Sequence, residues 1–84
     1  MNWMKLWIKE RDEAVRSLDV EKFKEFYKKW RARGYYDMPL PSDDRVIEVS
    51  MRKMMFHSNS FSEQEKADAK KWLEDRGFST DMGI

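Results

Sequence analysis

Apolar residues recur at intervals of three and four along most of the chain, the spacing that places them on one face of an α-helix. No segment alternates apolar and polar residues over the length of a strand. Turn-forming residues divide the pattern into segments, and we predict helices over about residues 3–16, 20–33, 43–57 and 63–76. A loosely held tail is predicted over 79–84. The sequence therefore predicts an all-α fold, in which residues 1–84 form a compact single-domain bundle of about four short helices.

Residues typical of helix ends flank these segments. Side-chain oxygens that accept from first-turn amides stand just before each of them, at Asn2, Asp19, Ser42 and Ser62. Ser62 also has Glu65 three residues later, which is the capping-box pattern. Gly34 and Gly77 stand where helices often end on a left-handed residue. Each is followed by an aromatic residue, which we expect to fold back on the preceding helical turn.

Composition argues against catalysis. The chain has no Cys and one His, so disulfides, thiolate metal sites and cysteine nucleophiles are excluded, and a Ser-His-Asp triad would have to use His57. His57 stands at the predicted end of the third helix, where a capping role is favoured. The acidic residues Asp43, Asp44 and Glu48 are interpreted as helix stabilisers rather than as ligands of a hard cation. We therefore expect no enzyme activity, no cofactor and no metal.

The N-terminal apolar run is short and is interrupted by Lys5, and acidic residues follow it. This pattern is neither a signal peptide nor a membrane span, so we expect a cytoplasmic protein. Charged residues of both signs are interspersed, 17 Lys or Arg against 16 Asp or Glu, for a net charge of +1. That balance lacks the basic excess of a dedicated nucleic-acid binder.

Large apolar residues near the N-terminus cover more than one helix face. The core-facing stripe of the first helix is predicted to contain Met4, Trp7, Ile8, Ala14, Val15 and Leu18, and Arg11 falls on the same stripe. This stripe leaves Trp3 and Leu6 partly outside, and exposed large apolar groups are typical of docking surfaces. The predicted partner-binding residues are Trp3, Leu6, Trp7, Tyr35 and Tyr36. Three alternatives stay open: a small core that covers both faces of the helix, a helix on a membrane surface, and a homodimer.

Cations crowd the second predicted helix just before Tyr35 and Tyr36. The set comprises Lys24, Lys28, Lys29, Arg31 and Arg33. Basic side chains beside aromatic rings are able to hold a nucleic-acid backbone and stack a base, which makes nucleic acid the alternative partner. We favour the interpretation that these cations complement the helix C-terminus and pair with Glu21 and Glu25. A helix-turn-helix is disfavoured, because the third and fourth helices begin with carboxylates that would repel phosphate.

Two stretches carry a resemblance. One runs from Ser62 and Lys66 to Lys71-Trp72-Leu73-Glu74-Asp75-Arg76-Gly77-Phe78-Ser79; the other is Ser17-Leu18-Asp19 leading into a basic-aromatic helix and a Pro-rich acidic turn. Together they resemble short, uncharacterised proteins of phages and prophages of gut bacteria. The resemblance implies an accessory protein that binds one host protein stoichiometrically, as anti-CRISPR and other anti-defence inhibitors do. No residue role carries over from it.

These observations predict a non-enzymatic protein-binding module, a phage-type inhibitor of a host protein. The first alternative is a small nucleic-acid-binding protein that uses the basic second helix. The second alternative is a homodimeric structural module whose excess aromatic residues bury one another.

Overall fold

A computed structural model describes residues 2–81 and shows an all-α bundle. Its four helices are α1 (Trp3–Arg16), α2 (Val20–Ala32), α3 (Asp44–His57) and α4 (Glu63–Asp75). The fold-class prediction is confirmed, and no strand occurs in the described part of the chain. The hairpin of α3 and α4 has the most extensive packing, and α1 packs on both α2 and α3. Residues 82–84 of the predicted loose tail lie outside the described residues.

The helix starts follow the predicted capping chemistry at three of four positions. Asn2 accepts from the Met4 amide at 3.0 Å and Asp19 from the Glu21 amide at 2.9 Å. Ser62 and Glu65 form the complete capping box, with both reciprocal hydrogen bonds present. Each cap satisfies an amide that has no partner within its helix.

The predicted cap of α3 is wrong by one residue, because Asp43 and not Ser42 caps this helix. The Asp43 carboxylate accepts from the Arg45 amide at 2.9 Å and binds the Arg45 guanidinium at 3.1 Å. These interactions hold the pKa of Asp43 below its ordinary value, and the Arg45 side-chain hydrogen bond is the largest cause. Because the Asp43 carboxylate binds both the amide and the guanidinium of Arg45, it is favoured over the Ser42 hydroxyl at the cap position.

Two helices end on glycine as predicted. Gly34 and Gly77 have φ angles of +87° and +80°, in the left-handed region. The Tyr35 amide then donates to the Trp30 carbonyl at 3.1 Å, and the Phe78 amide donates to the Leu73 carbonyl at 2.9 Å. Both ends are therefore Schellman motifs, which turn the following aromatic residue back toward the helix.

The core is built around Trp30, which has no exposed surface. The other buried apolar residues come from all four helices and from the α3–α4 loop: Ala14, Val15, Phe23, Phe26, Ile47, Met51, Met55, Phe61, Ala69 and Leu73. The expectation that Leu18 faces the core is wrong. Leu18 takes a left-handed conformation, with φ of +56°, at the end of α1 and is 43% exposed.

No helix within residues 2–81 is both long enough and apolar enough to cross a membrane.

The acidic residues near the start of α3 are engaged with cations. Asp43 pairs with Arg45, Asp44 pairs with Lys24 at 2.6 Å, and Glu48 faces Arg52 at 4.0 Å. Over the described residues, no three acidic or histidine side chains are grouped as a metal site. At the other end of α3, the His57 ring nitrogen contacts the carbonyl oxygen of Thr80.

Candidate functional site

A surface groove lies between the first turns of α1 and the chain that follows α2. Its volume is about 230 Å³, and we call it the aromatic groove. The lining residues are Trp3, Met4, Trp7, Ile8, Arg11, Tyr35 and Tyr36. Four of the five predicted partner-binding residues thus line one groove, although 28 positions separate Trp7 from Tyr35.

The left-handed turn at Gly34 positions one wall of the aromatic groove. It returns the chain so that the Tyr35 ring stacks on Trp3, with centroids 4.5 Å apart and planes 25° apart. Tyr35 also lies 5.2 Å from the buried Trp30 ring. Trp3 and Tyr35 nevertheless stay 44% and 43% exposed. Two large rings are therefore held in place and still present apolar surface to solvent.

Tyr36 forms the floor between α1 and α2. Its hydroxyl accepts from the Trp7 indole nitrogen at 2.9 Å, and its ring stacks on Tyr27 at 4.1 Å. The Tyr27 hydroxyl donates to the Met38 carbonyl at 2.6 Å, which fastens the linker between α2 and α3, residues 33–43. Burial raises the pKa of Tyr36 above its ordinary value, while the Trp7 hydrogen bond acts in the opposite direction. The Tyr36 phenol is therefore neutral at physiological pH.

Arg11 supplies the only charge among the lining residues. Its guanidinium lies over the Trp7 ring, 5.0 Å from the centroid. Two of its nitrogens bind one Asp12 oxygen, at 3.0 and 3.2 Å, and Asp12 is itself buried. The cation is thus balanced by a carboxylate and held against an aromatic face, an arrangement that favours a fixed side-chain position.

Leu6, the fifth predicted partner-binding residue, does not line the groove. It is half-buried and packs against the core cluster together with Trp7. Met4, which was assigned to the core-facing stripe, is instead 50% exposed. The start of α1 is therefore rotated relative to the prediction, because the linker covers the side of α1 that carries Trp7.

Sequence reasoning missed three lining residues, Met4, Ile8 and Arg11. The sequence contained part of the evidence for them. Met4 and Ile8 are four residues apart, as are Trp7 and Arg11, and residues at this spacing share a helix face. The missing information was the path of the linker, which decides the face of α1 that becomes the groove wall.

Three of the five predicted nucleic-acid-binding residues are already engaged within the chain. Lys29 binds Glu10 at 2.6 Å, Arg33 lies over Trp30 at 4.9 Å, and Lys24 binds Asp44 at 2.6 Å and Glu21 at 3.3 Å. The pairing of Lys24 with Glu21 was expected from helical spacing, whereas Lys29 reaches across to α1. The Lys29 hydrogen bond is the largest cause of the lowered pKa of Glu10.

A second hollow, which we call the basic groove, lies on the opposite side of Tyr36. It has a volume of about 550 Å³ and is lined by Lys24, Tyr27, Lys28, Arg31, Ala32, Tyr36, Asp37, Pro39 and Leu40. Among residues 2–81, Lys28 and Arg31 form no ion pair with a carboxylate. The structure thus separates the predicted basic set into engaged cations and an open pair.

Replacing Gly34 with alanine is expected to lower the free energy of unfolding by roughly 1 kcal/mol, because a φ of +87° is unfavourable for a residue with a Cβ atom. The added methyl group meets no atom within 4 Å, so the cost is one of backbone conformation. Urea unfolding followed by far-ultraviolet circular dichroism measures it.

Gly77→Ala is the matched control, since Gly77 has a similar φ of +80° and ends α4. Both variants should lose similar stability, and only Gly34→Ala should alter the near-ultraviolet signal of the Trp3–Tyr35 stack. An unchanged unfolding midpoint in Gly34→Ala would show that this turn does not constrain the groove.

Comparisons with protein-family models, with curated proteins and with solved structures found no match to this chain.

Proposed function

We propose that this chain is a non-enzymatic protein-binding module whose aromatic groove receives a side chain or segment of a host protein. The observation that carries the proposal is the pair of stacked, partly exposed rings of Trp3 and Tyr35 beside the apolar Met4 and Ile8. Exposed apolar surface of this kind marks interaction sites, and Trp and Tyr are enriched among the residues that dominate binding energy.

The contacts that fix the walls of the aromatic groove also support a protein-binding function. The Trp7–Tyr36 hydrogen bond, the Trp3–Tyr35 stack and the Gly34 turn fix the groove walls before any partner arrives. Ordering side chains on binding costs about 0.5–1.5 kcal/mol for each flexible side chain that is immobilised. Walls that are already ordered avoid much of that cost, which raises the affinity obtained from a given contact area.

The proposed mode of action is stoichiometric inhibition of a cytoplasmic host protein, of the kind found among phage-encoded anti-CRISPR and other anti-defence proteins. The resemblance of the Ser17–Asp19 and Ser62–Ser79 stretches to phage accessory proteins supports this part of the proposal. An inhibitor of this type needs a preformed docking surface and no catalytic group, and the aromatic groove supplies such a surface.

The experiment that tests the proposal is affinity capture from lysate of a gut bacterium with three immobilised proteins: wild type, Met4→Glu and Val46→Glu. Met4 and Val46 are matched, since both lie in a first helical turn and are 50% and 47% exposed. Val46 lies on α3, outside the aromatic groove. We expect wild type and Val46→Glu to capture a host protein in an amount equimolar with the immobilised protein. Met4→Glu should not capture it, because a carboxylate in an apolar contact is costly to desolvate.

Two results would overturn the proposal. One is capture of the same host proteins by all three immobilised proteins, which would show that binding does not depend on the aromatic groove. The other is a groove-dependent homodimer, detected by light scattering in the absence of lysate, since a second copy would then be the occupant. Far-ultraviolet circular dichroism of each variant verifies that the helices are intact.

A further inference from the structure

The aromatic groove and the basic groove meet at Tyr36. This residue lines both of them. On one side its hydroxyl is bonded to Trp7, a wall of the aromatic groove, and on the other its ring is stacked on Tyr27, a wall of the basic groove. The two grooves are therefore adjacent and together form a surface with Tyr36 as the shared wall.

The two parts of this surface differ in charge. The walls of the aromatic groove are largely apolar, and its one cation, Arg11, is bound to Asp12. The basic groove is lined by Lys24, Lys28 and Arg31, which stand four and three residues apart along one face of α2 and thus span about 10 Å. Asp37 is the only acidic residue among its lining residues.

Only part of this positive charge is balanced within the chain. Lys24 lies between Glu21 and Asp44, and these two carboxylates raise its pKa through hydrogen bonds, with Asp44 the larger cause. Lys28 and Arg31 form no such pair among the described residues, and both are exposed. The surface thus presents an apolar pocket next to two cations that are open to an incoming anion.

We propose that the partner presents an acidic protein segment, in which an apolar side chain enters the aromatic groove and neighbouring Asp or Glu side chains lie against Lys28 and Arg31. This inference rests on the proposed function, since it names the chemistry of the segment that the aromatic groove receives. Charge complementarity of this kind speeds association and rejects partners that carry the wrong charge.

A nucleic acid fits the same surface less well. A phosphate backbone gains affinity from many cation contacts, whereas only two cations without an ion pair among the described residues line the basic groove. An acidic peptide needs only one or two carboxylates to match Lys28 and Arg31, and its apolar side chain fills the aromatic groove.

The test is selection of a random peptide library, displayed on yeast, against the folded wild-type protein. We expect enriched peptides that combine one or more large apolar residues with adjacent Asp or Glu. A synthetic copy of the best peptide should bind roughly tenfold more tightly at low salt than its counterpart with Gln and Asn in place of Glu and Asp, because exposed pairs contribute modestly and are screened by salt.

Two double variants localise the effect. Lys28→Gln with Arg31→Gln should abolish the preference for the acidic peptide over its neutral counterpart. Lys70→Gln with Lys71→Gln removes the same net charge on α4 and should leave the preference intact. Met4→Glu should weaken both peptides, because it acts on the apolar contact that they share, and it should weaken the acidic peptide more, because the new carboxylate repels it.

Several outcomes would overturn the inference. Enriched peptides without an acidic bias that still lose binding in Met4→Glu would reject the acidic segment and leave the proposed protein-binding function standing. Acidic peptides that bind Met4→Glu as tightly as wild type would reject the aromatic groove as the apolar site and count against both proposals. No enrichment, or binding of oligo(dT) that needs Lys28 and Arg31 and weakens steeply with salt, would also reject it.

Discussion

Replacing Trp30 with alanine is expected to lower the free energy of unfolding by about 3–5 kcal/mol, the usual cost of removing a fully buried large aromatic side chain. Trp30 has no exposed surface and lies beneath Trp3 and Tyr35, at 6.5 and 5.2 Å between ring centroids. Its loss removes the support of the aromatic groove as well as the centre of the core. Urea unfolding followed by circular dichroism measures the change.

Trp3→Ala is the matched control for Trp30→Ala, since it removes the same side chain from the surface of the stack. The expected loss is roughly 1 kcal/mol, the contribution of an aromatic pair at a partly exposed site. Equal losses in the two variants would contradict the assignment of Trp30 to the core and Trp3 to the binding surface.

The double variant Met4→Glu with Ile8→Glu is expected to weaken binding to the captured host protein by about 100-fold or more. Hot-spot positions cost at least ~2 kcal/mol when they are truncated. A carboxylate that becomes buried in an apolar contact without a partner adds its own desolvation cost. Neither Met4 nor Ile8 belongs to the core cluster, so the fold should persist. Titration calorimetry measures the affinity, and circular dichroism verifies the helices.

Val46→Glu is the control for this loss of affinity, and we expect it to change the dissociation constant by less than about twofold, as surface substitutions away from an interface usually do. A host protein that binds the double variant as tightly as wild type would remove Met4 and Ile8 from the interface. Loss of binding in Val46→Glu alone would move the interface to α3.

The helices were predictable because their signals are local. The caps at Asn2, Asp19 and Ser62 and the glycine ends at Gly34 and Gly77 act within one helical turn. The miss at α3 has the same local origin, since Ser42 and Asp43 are both good caps. The choice between them depends on the interaction of Arg45 with Asp43, and that depends on side-chain placement.

The binding surface was only partly predictable, because it depends on contacts between distant segments. The excess of aromatic residues in α1 pointed to Trp3 and Trp7, and the residues after Gly34 pointed to Tyr35 and Tyr36. Leu6 does not line the groove with them, and its place was not predictable, because periodicity gives the angles between side chains along a helix but not the face that the neighbouring segments cover. The linker determines that face, and its irregular path has no periodic signal.

The basic residues of α2 show the same division. Helical spacing predicted that Glu21 and Glu25 pair with Lys24, Lys28 and Lys29, and of these pairs the described residues contain only that of Lys24 with Glu21. The ion pair of Lys29 with Glu10 and that of Lys24 with Asp44 join different helices, so no spacing along one helix indicates them. No ion pair of the described residues includes Lys28 or Arg31, which leaves these two as the open cations.

Binding of the partner at the aromatic groove is measured most directly with the four Trp residues as reporters. Labelled with 5-fluorotryptophan, each gives one ¹⁹F NMR signal, and single Trp→Phe variants assign the signals. When the captured host protein is added, the Trp3 and Trp7 signals are predicted to shift. The signal of Trp72 on α4, whose ring lies beneath the guanidinium groups of Arg52 and Arg76, should stay in place. A shift of the Trp72 signal with the Trp3 and Trp7 signals unchanged would contradict binding at the aromatic groove.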